Sequence, residues 1–350
     1  MVVRALIARP TARRWVLAMP PVVALLYPAL LAGAYRSAHS WSVGSGGSIA
    51  AATLAISLLL TFSIPVIAFT VAVRLGAIQD PTRGDVQARW FAHMAFSAPP
   101  FFTFVGVEAD LVGYPSGDYV IWPIVWIALV VAAWIGASRT DAARASMLAP
   151  SWLRPIHGTV AALVILGFVA LHVGNHLTGF WSPETHIAVM KVLRKWYRSE
   201  VVEPILVALM LFMVLSGALL LRARLTRPAG PFETLQTVTG AYLAMYIVAH
   251  MNSAFIYARM HGGIDTNFWW AAGSHAYLLG DPWSVRLLPH YAIAVWGVIT
   301  HAGCGLRTVL LAHGVAQGTA DRATVWISVF GALVALPVIL GLVGVHIHWR

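Results

Sequence analysis

The sequence predicts an all-α protein: a polytopic transmembrane helical bundle of about nine helices, with the N-terminus inside and the C-terminus outside. Three observations carry this. Of 350 residues, 59% are hydrophobic and only 10% charged, with a mean hydropathy of +0.76, outside the range of a water-soluble domain. Apolar runs long enough to cross a bilayer, roughly 20 residues each, recur along the whole chain. Lys and Arg are divided unequally between alternate connections of those runs, as the positive-inside rule requires.

The candidate spans lie at about 15–35, 49–73, 88–107, 119–137, 156–176, 203–222, 234–257, 287–311 and 323–345. In lipid every backbone N–H and C=O must be satisfied within its own segment, so runs of this length read as helices. The first follows Arg4, Arg9, Arg13 and Arg14; with Ala32-Gly33-Ala34 behind it, the stretch also fits a cleaved signal peptide, and the topology downstream is the same either way. Spans two and three enclose an inner connection with Arg74, Arg83 and Arg89. The fourth leads into the polar, inner SRTDAARASMLAPSWLRP, 138–155, and the sixth ends in Arg222, Arg224 and Arg227.

Counted this way, inner segments hold 15 of the 23 basic residues and outer segments eight. Four of those eight, Lys191, Arg194, Lys195 and Arg198, share one connection, between spans five and six. The formal charge of +10 is therefore a matter of topology. Dispersal of the basic residues over helix ends argues against a nucleic-acid partner, and membrane lipid is the expected surrounding. In the connection after span five, HIAVMKVLRKWYR (186–198) alternates at helical spacing, with Val189, Val192, Leu193 and Trp196 on one side and the four cations on the other. It reads as an amphipathic helix along the outer interface, with a lid over a lipid-soluble substrate as the functional alternative.

The single cysteine, Cys304, excludes an internal disulfide, a cysteine-held iron–sulfur cluster and a Cys-x-x-Cys-His attachment, so any haem is non-covalent. The 14 histidines divide the chain: residues 1–140 contain only His39 and His93, and residues 151–350 contain the rest. This gives a four-helix N-terminal membrane region of unassigned role, 1–140, and a five-helix region, 151–350. Ala-His-Met recurs at 92–94 and 249–251, but His93 starts its helix and His250 ends its own, so no repeat relates the two regions.

Helix five runs outward and carries His172 near its outer end; helix seven also runs outward and carries His250. Each lies roughly 7–10 Å from the outer boundary at about 1.5 Å per residue, so the two are level. Two neutral imidazoles facing one another across a bundle are what six-coordinate haem iron needs, and ionisable groups in a membrane face a bundle interior by default. His176, one turn beyond His172, reads as a neighbour facing the outer interface. His301 sits deeper on helix eight, followed by Ala302, Gly303 and Gly305, which admit either a flat ring or a close helix contact.

Several short motifs occur in a fixed order: Ile156-His157-Gly158 opening helix five, His172 with Asn175-His176 closing it, Glu203 ahead of Gly217 in helix six, Thr234-Leu235-Gln236 and Thr239-Gly240 ahead of His250, and His301 ahead of Gly305-Leu306. On these, residues 156–345 resemble the five-helix cytochrome b membrane anchor of succinate dehydrogenase and fumarate reductase. The resemblance implies haem b ligated by His172 and His250 near the outer face, with His301 as one ligand of an inner haem. The family places a histidine opposite the latter; here that position, four before Gly217, is Met213. Met with His is a legitimate axial pair, but Met213 fits core filler as readily, and counting from the helix ends puts it about one turn out of level with His301. One haem is therefore expected, with the second in doubt and His301 neutral and hydrogen-bonded. His157, at the inner mouth of helix five, is a candidate contact for a haem propionate or a quinone.

The expected function is that of a membrane b-type cytochrome passing electrons between a quinone pool and a partner in the inner (cytoplasmic) membrane. Flavoprotein and iron–sulfur subunits would dock on the inner face, because this chain carries no motif for either group. The alternative is a haem-free or haem-sensing transport or signalling protein on the same scaffold. A metal ion bound by His172 and His176 with His290 or His275 is the other reading of the same residues.

Overall fold

The computed structural model describes residues 10–143 and 149–347. Arg4 and Arg9 of the charge count, and the centre of the 138–155 connection, lie outside the described residues. Among the described residues every regular element is a helix, and one isolated bridge, Thr82 to Ala142, is the sole extended pairing. Seven helical stretches among the described residues are long and apolar enough to cross a membrane: Thr11–Ser42, Gly47–Gly76, Asp118–Gly136, Leu153–Thr178, Val202–Leu225, Ser284–Ala312 and Gln317–Leu342. A helical membrane bundle thus stands, and two of the nine expected spans differ from the expectation for identifiable reasons.

The first stretch is a bent pair, α1 (Pro10–Leu25) and α2 (Tyr27–Ser42). Pro20, Pro21 and Pro28 each remove a backbone donor around the joint at Leu26. After α3 (Gly47–Gly76), the expected span 88–107 is two shorter helices, α4 (Arg83–Phe96) and α5 (Ala98–Leu111), broken at Ser97 ahead of Pro99-Pro100. A reciprocal capping box between Thr82 and Asp85 starts α4, and Arg13 closes on both of its side chains at 2.8 and 2.9 Å. α6 (Asp118–Gly136) completes the N-terminal region.

In the second region α7 (Leu153–Val164) passes through a π-helical turn, Ile165–Val169, into α8 (Ala170–Thr178). α9 (Pro183–Tyr197) crosses to α10 (Val202–Leu225). The expected span 234–257 is α11 (Pro231–Met251) with a π-helical extension, Asn252–His261. It is long enough to cross, but Gln236, its threonines, two tyrosines and His250 make it too polar to count as apolar. Its position accounts for that: α11 packs against α3, α4, α5, α10 and the later α14, so it is enclosed by protein instead of lipid. Two one-turn helices, α12 (Phe268–Ala271) and α13 (Tyr277–Gly280), precede the long antiparallel pair α14 (Leu287–Ala312) and α15 (Gln317–Leu342).

The two regions interlock. The largest core cluster spans both, with Tyr27, Phe96, Phe102, Trp122 and Trp126 against Val238, Tyr242 and Ile293. Arg89 of α4 donates to the Leu225 and Arg227 carbonyls at the end of α10, at 3.0 and 2.7 Å, capping that helix from across the interface. By contrast α7–α8 and α10 bury little: 6% of the apolar window of each is buried.

Candidate functional site

The packing brings His172 and His250 together. Their ring centroids lie 6.1 Å apart, with the planes at 65°. Each ring is backed by an aromatic one turn earlier on its own helix: Phe168 stacks on His172 at 5.1 Å and Tyr246 on His250 at 5.4 Å. Both histidines also sit beside a π-helical turn, His172 three residues after one and His250 two residues before the other. Such turns add a residue to the local repeat and rotate whatever follows, and they concentrate at functional sites.

A metal–imidazole bond is about 2 Å long, so two imidazoles sharing one iron place their centroids roughly 6 Å apart. The observed 6.1 Å meets that. Among the described residues no nitrogen of His172, His176 or His250 makes a hydrogen bond, and these nitrogens keep accessible surface, unlike the sealed Nδ1 atoms of His186 and His290. The lone pairs of the His172 and His250 rings are thus open to a ligand, which is what coordination requires. His93 is the contrast: its Nδ1 bonds to the Arg89 carbonyl at 2.7 Å and its Nε2 to Thr237 Oγ1 at 3.0 Å.

His157 and His301 form a second level, toward the other end of the bundle. His157 Nδ1 lies 2.8 Å from Ser216 Oγ, and His301 Nδ1 lies 3.0 Å from the Gln236 carbonyl and 3.2 Å from Thr239 Oγ1. Met213 contributes a backbone carbonyl near Ser216 Oγ, at 3.4 Å. Gly240 is the reason His301 fits: a Cβ there would stand 2.9 Å from its ring. Gly303, read with Gly305 as room for a flat ring, packs instead on Ile327 of α15.

Two members of the outer cluster, His186 and Tyr246, were not singled out from the sequence. His186, the first residue of the amphipathic run, is buried, hydrogen-bonded to Asn175 at 3.1 Å and 5.0 Å from the His176 ring. His176 thus turns toward α9 rather than to an open interface. His290 and Tyr246 pack ring to ring at 4.6 Å, so His290 belongs to the bundle and not to an outer loop. The protein-facing stripe of α9 runs Pro183, His186, Met190, while Val192 and Trp196 of the expected apolar face are exposed, as befits a helix whose other side meets lipid. The signal was present as the i, i+4 spacing of His186 and Met190. Among the described residues no group of three or more His, Cys, Asp or Glu could hold a metal ion, and His275 stacks on Trp269 at 4.0 Å, so the metal-ion alternative is not assembled.

Burial holds the His186 imidazole down at about 4, with the His172 and Arg194 charges acting in the same direction. The unfolded chain, near 6.5, then binds more protons than the folded one between those two values, so stability falls as pH drops through that window. Hydrogen-exchange protection in α9, corrected for the intrinsic pH dependence of amide exchange, should fall from pH 6.5 to 4, and His186→Phe should flatten that dependence; an unchanged profile in the variant would assign it to other groups. No family model, no curated protein and no solved structure matches this chain, so the reading of the site rests on its own geometry.

Proposed function

We propose that this chain is a membrane-embedded b-type cytochrome that passes electrons between a quinone pool and a partner, with one haem b held by His172 and His250. The observation that carries the proposal is the unpartnered imidazole pair at 6.1 Å inside the bundle. The haem supplies one-electron redox chemistry when bound; the chain supplies two neutral imidazoles, the aromatic walls Phe168 and Tyr246, and helices that exclude water. His176 and His186 line the approach from the α9 side. Met213 is assigned no ligand role. Flavoprotein and iron–sulfur subunits are the partners proposed for the end of the bundle opposite α9.

The test is optical. Purified protein should be red, with a b-type absorbance that sharpens on reduction, and extracted haem should approach one equivalent per chain, unchanged in Met213→Ala. A colourless protein that takes up no haem on reconstitution would reject the reading.

The proposed topology has nine crossings in the inner membrane, with α4–α5 and α11 counted among them and the N-terminus inside. Its support is the basic-residue count, and α11's polar composition is no obstacle because protein encloses it. Reporter fusions at Ser116 and Ala229 should report opposite sides, outer and inner. A common side for both would overturn the crossing assignment.

A further inference from the structure

The inner pair, His157 and His301, differs from the outer pair in a way that fixes its chemistry. The Gln236 carbonyl can only accept, so His301 Nδ1 must carry the proton that bonds to it at 3.0 Å. Ser216 donates its own hydroxyl proton to the Phe212 carbonyl, at 2.5 Å, so its oxygen accepts from His157 Nδ1. In both neutral rings the tautomer is therefore set by a neighbour, and Nε2 is left as a lone pair. Neither Nε2 has a partner among the described residues, and both keep accessible surface.

Small residues leave the backbone beside both rings open. Gly297, His301 and Gly305 form an i, i+4 stripe on α14, and a Cβ at either glycine would meet nothing within 4 Å, although Gly297 is buried. On α10, Gly217 places only its hydrogen toward His157, whose Cε1 is 3.6 Å from the position of a Cβ. The two rings make no contact with each other, which separates this level from the outer one, where the centroid distance suits one shared atom.

We propose that this inner level binds the quinol form of the pool molecule, a flat ring with two hydroxyl donors, through His157 Nε2 and His301 Nε2. The proposal rests on the quinone-linked reading above and gives it a place and a redox form. Two acceptor nitrogens match two O–H donors; the oxidised quinone presents two carbonyl acceptors to the same lone pairs and is repelled. On oxidation the two hydroxyl protons would pass to the two imidazoles, and the two electrons would leave one at a time to the single proposed haem, which the partner re-oxidises between the two transfers. Ser216 and Gln236 are positioning groups, acting through the tautomers they impose.

Equilibrium dialysis of the purified full chain, run anaerobically with a short-chain benzoquinol and its benzoquinone, tests this. The quinol should bind at least about tenfold more tightly, the scale of one or two hydrogen bonds made against lone-pair repulsion. His157→Phe and His301→Phe should each lose the preference. Ser216→Ala should erode the preference while leaving quinol affinity within a few-fold, because His157 then takes either tautomer; a purely structural role for Ser216 would lower both affinities together. Equal affinity for the two forms, or a preference that survives both histidine variants, would overturn the proposal. So would a second haem equivalent lost in His157→Phe, which would give these nitrogens to iron. Haem content is read separately, so a haem-free chain that keeps a His157-dependent quinol preference would reject the cytochrome and retain this site.

Discussion

Replacing either His172 or His250 with Ala is expected to abolish the low-spin b-type signal. In the proposed haem site the loss of one imidazole would remove a direct iron bond, and even the loss of a group that merely orients a ligand typically costs 10- to 100-fold in affinity. His93→Ala and His39→Ala should leave the spectrum intact. His93 has both nitrogens committed, to the Arg89 carbonyl and Thr237, and His39 is exposed on α2 beside Tyr35. One complication is built into the cluster: the His176 ring lies 4.8 Å from His172 and could replace it on the iron. His172→Ala is therefore paired with His172→Ala/His176→Ala. A single variant that keeps a shifted spectrum and a double that loses it would locate the substitution at His176; full haem in both His172→Ala/His176→Ala and His250→Ala would sink the ligand assignment.

The level of His172 and His250 was legible because depth in a membrane helix is a count of residues, and both helices run the same way. Which histidine faced which was not. That depends on rotation about the helix axis, and the π-helical turns at Ile165–Val169 and Asn252–His261 reset that rotation where a 3.6-residue repeat would misplace it. The break at Ser97 was readable in Pro99-Pro100, yet the apolar content of 88–107 concealed it, since hydropathy does not register a helix joint. α11 shows the converse. Its pattern is polar for a lipid-exposed span, and only the surrounding helices explain why that is tolerated. The inner histidines were found as residues, but their tautomers rest on Ser216 and on the Gln236 carbonyl, contacts between helices far apart in sequence.

The second large effect concerns the join between the two regions. Arg286, just ahead of α14, donates to Asp118 of α6 at 2.5 Å, and both side chains are almost wholly buried. Arg286 Nε also donates to the Trp283 carbonyl at 2.9 Å, and the guanidinium lies over the Phe102 and Trp283 rings at 4.5 and 4.7 Å. Gly106 of α5 makes room for it: a Cβ there would stand far inside contact distance of Arg286 Nη1. Burying two charges costs several kcal/mol per ion, so the pair adds little net stability relative to apolar residues of the same volume; breaking it is a different matter, because a lone guanidinium would remain in an apolar site. Asp118→Ala should therefore lower unfolding stability by about 3–5 kcal/mol, and the charge-free pair Asp118→Leu/Arg286→Met should recover most of that loss. Gly106→Ala should act in the same direction as Asp118→Ala, since the guanidinium it displaces is held on three sides. Denaturant unfolding of the detergent-solubilised chain, followed by circular dichroism, measures all three. A loss under about 1 kcal/mol in Asp118→Ala would mean that water or lipid headgroups reach Arg286, and that the two regions are held together by the Tyr27–Tyr242 core instead.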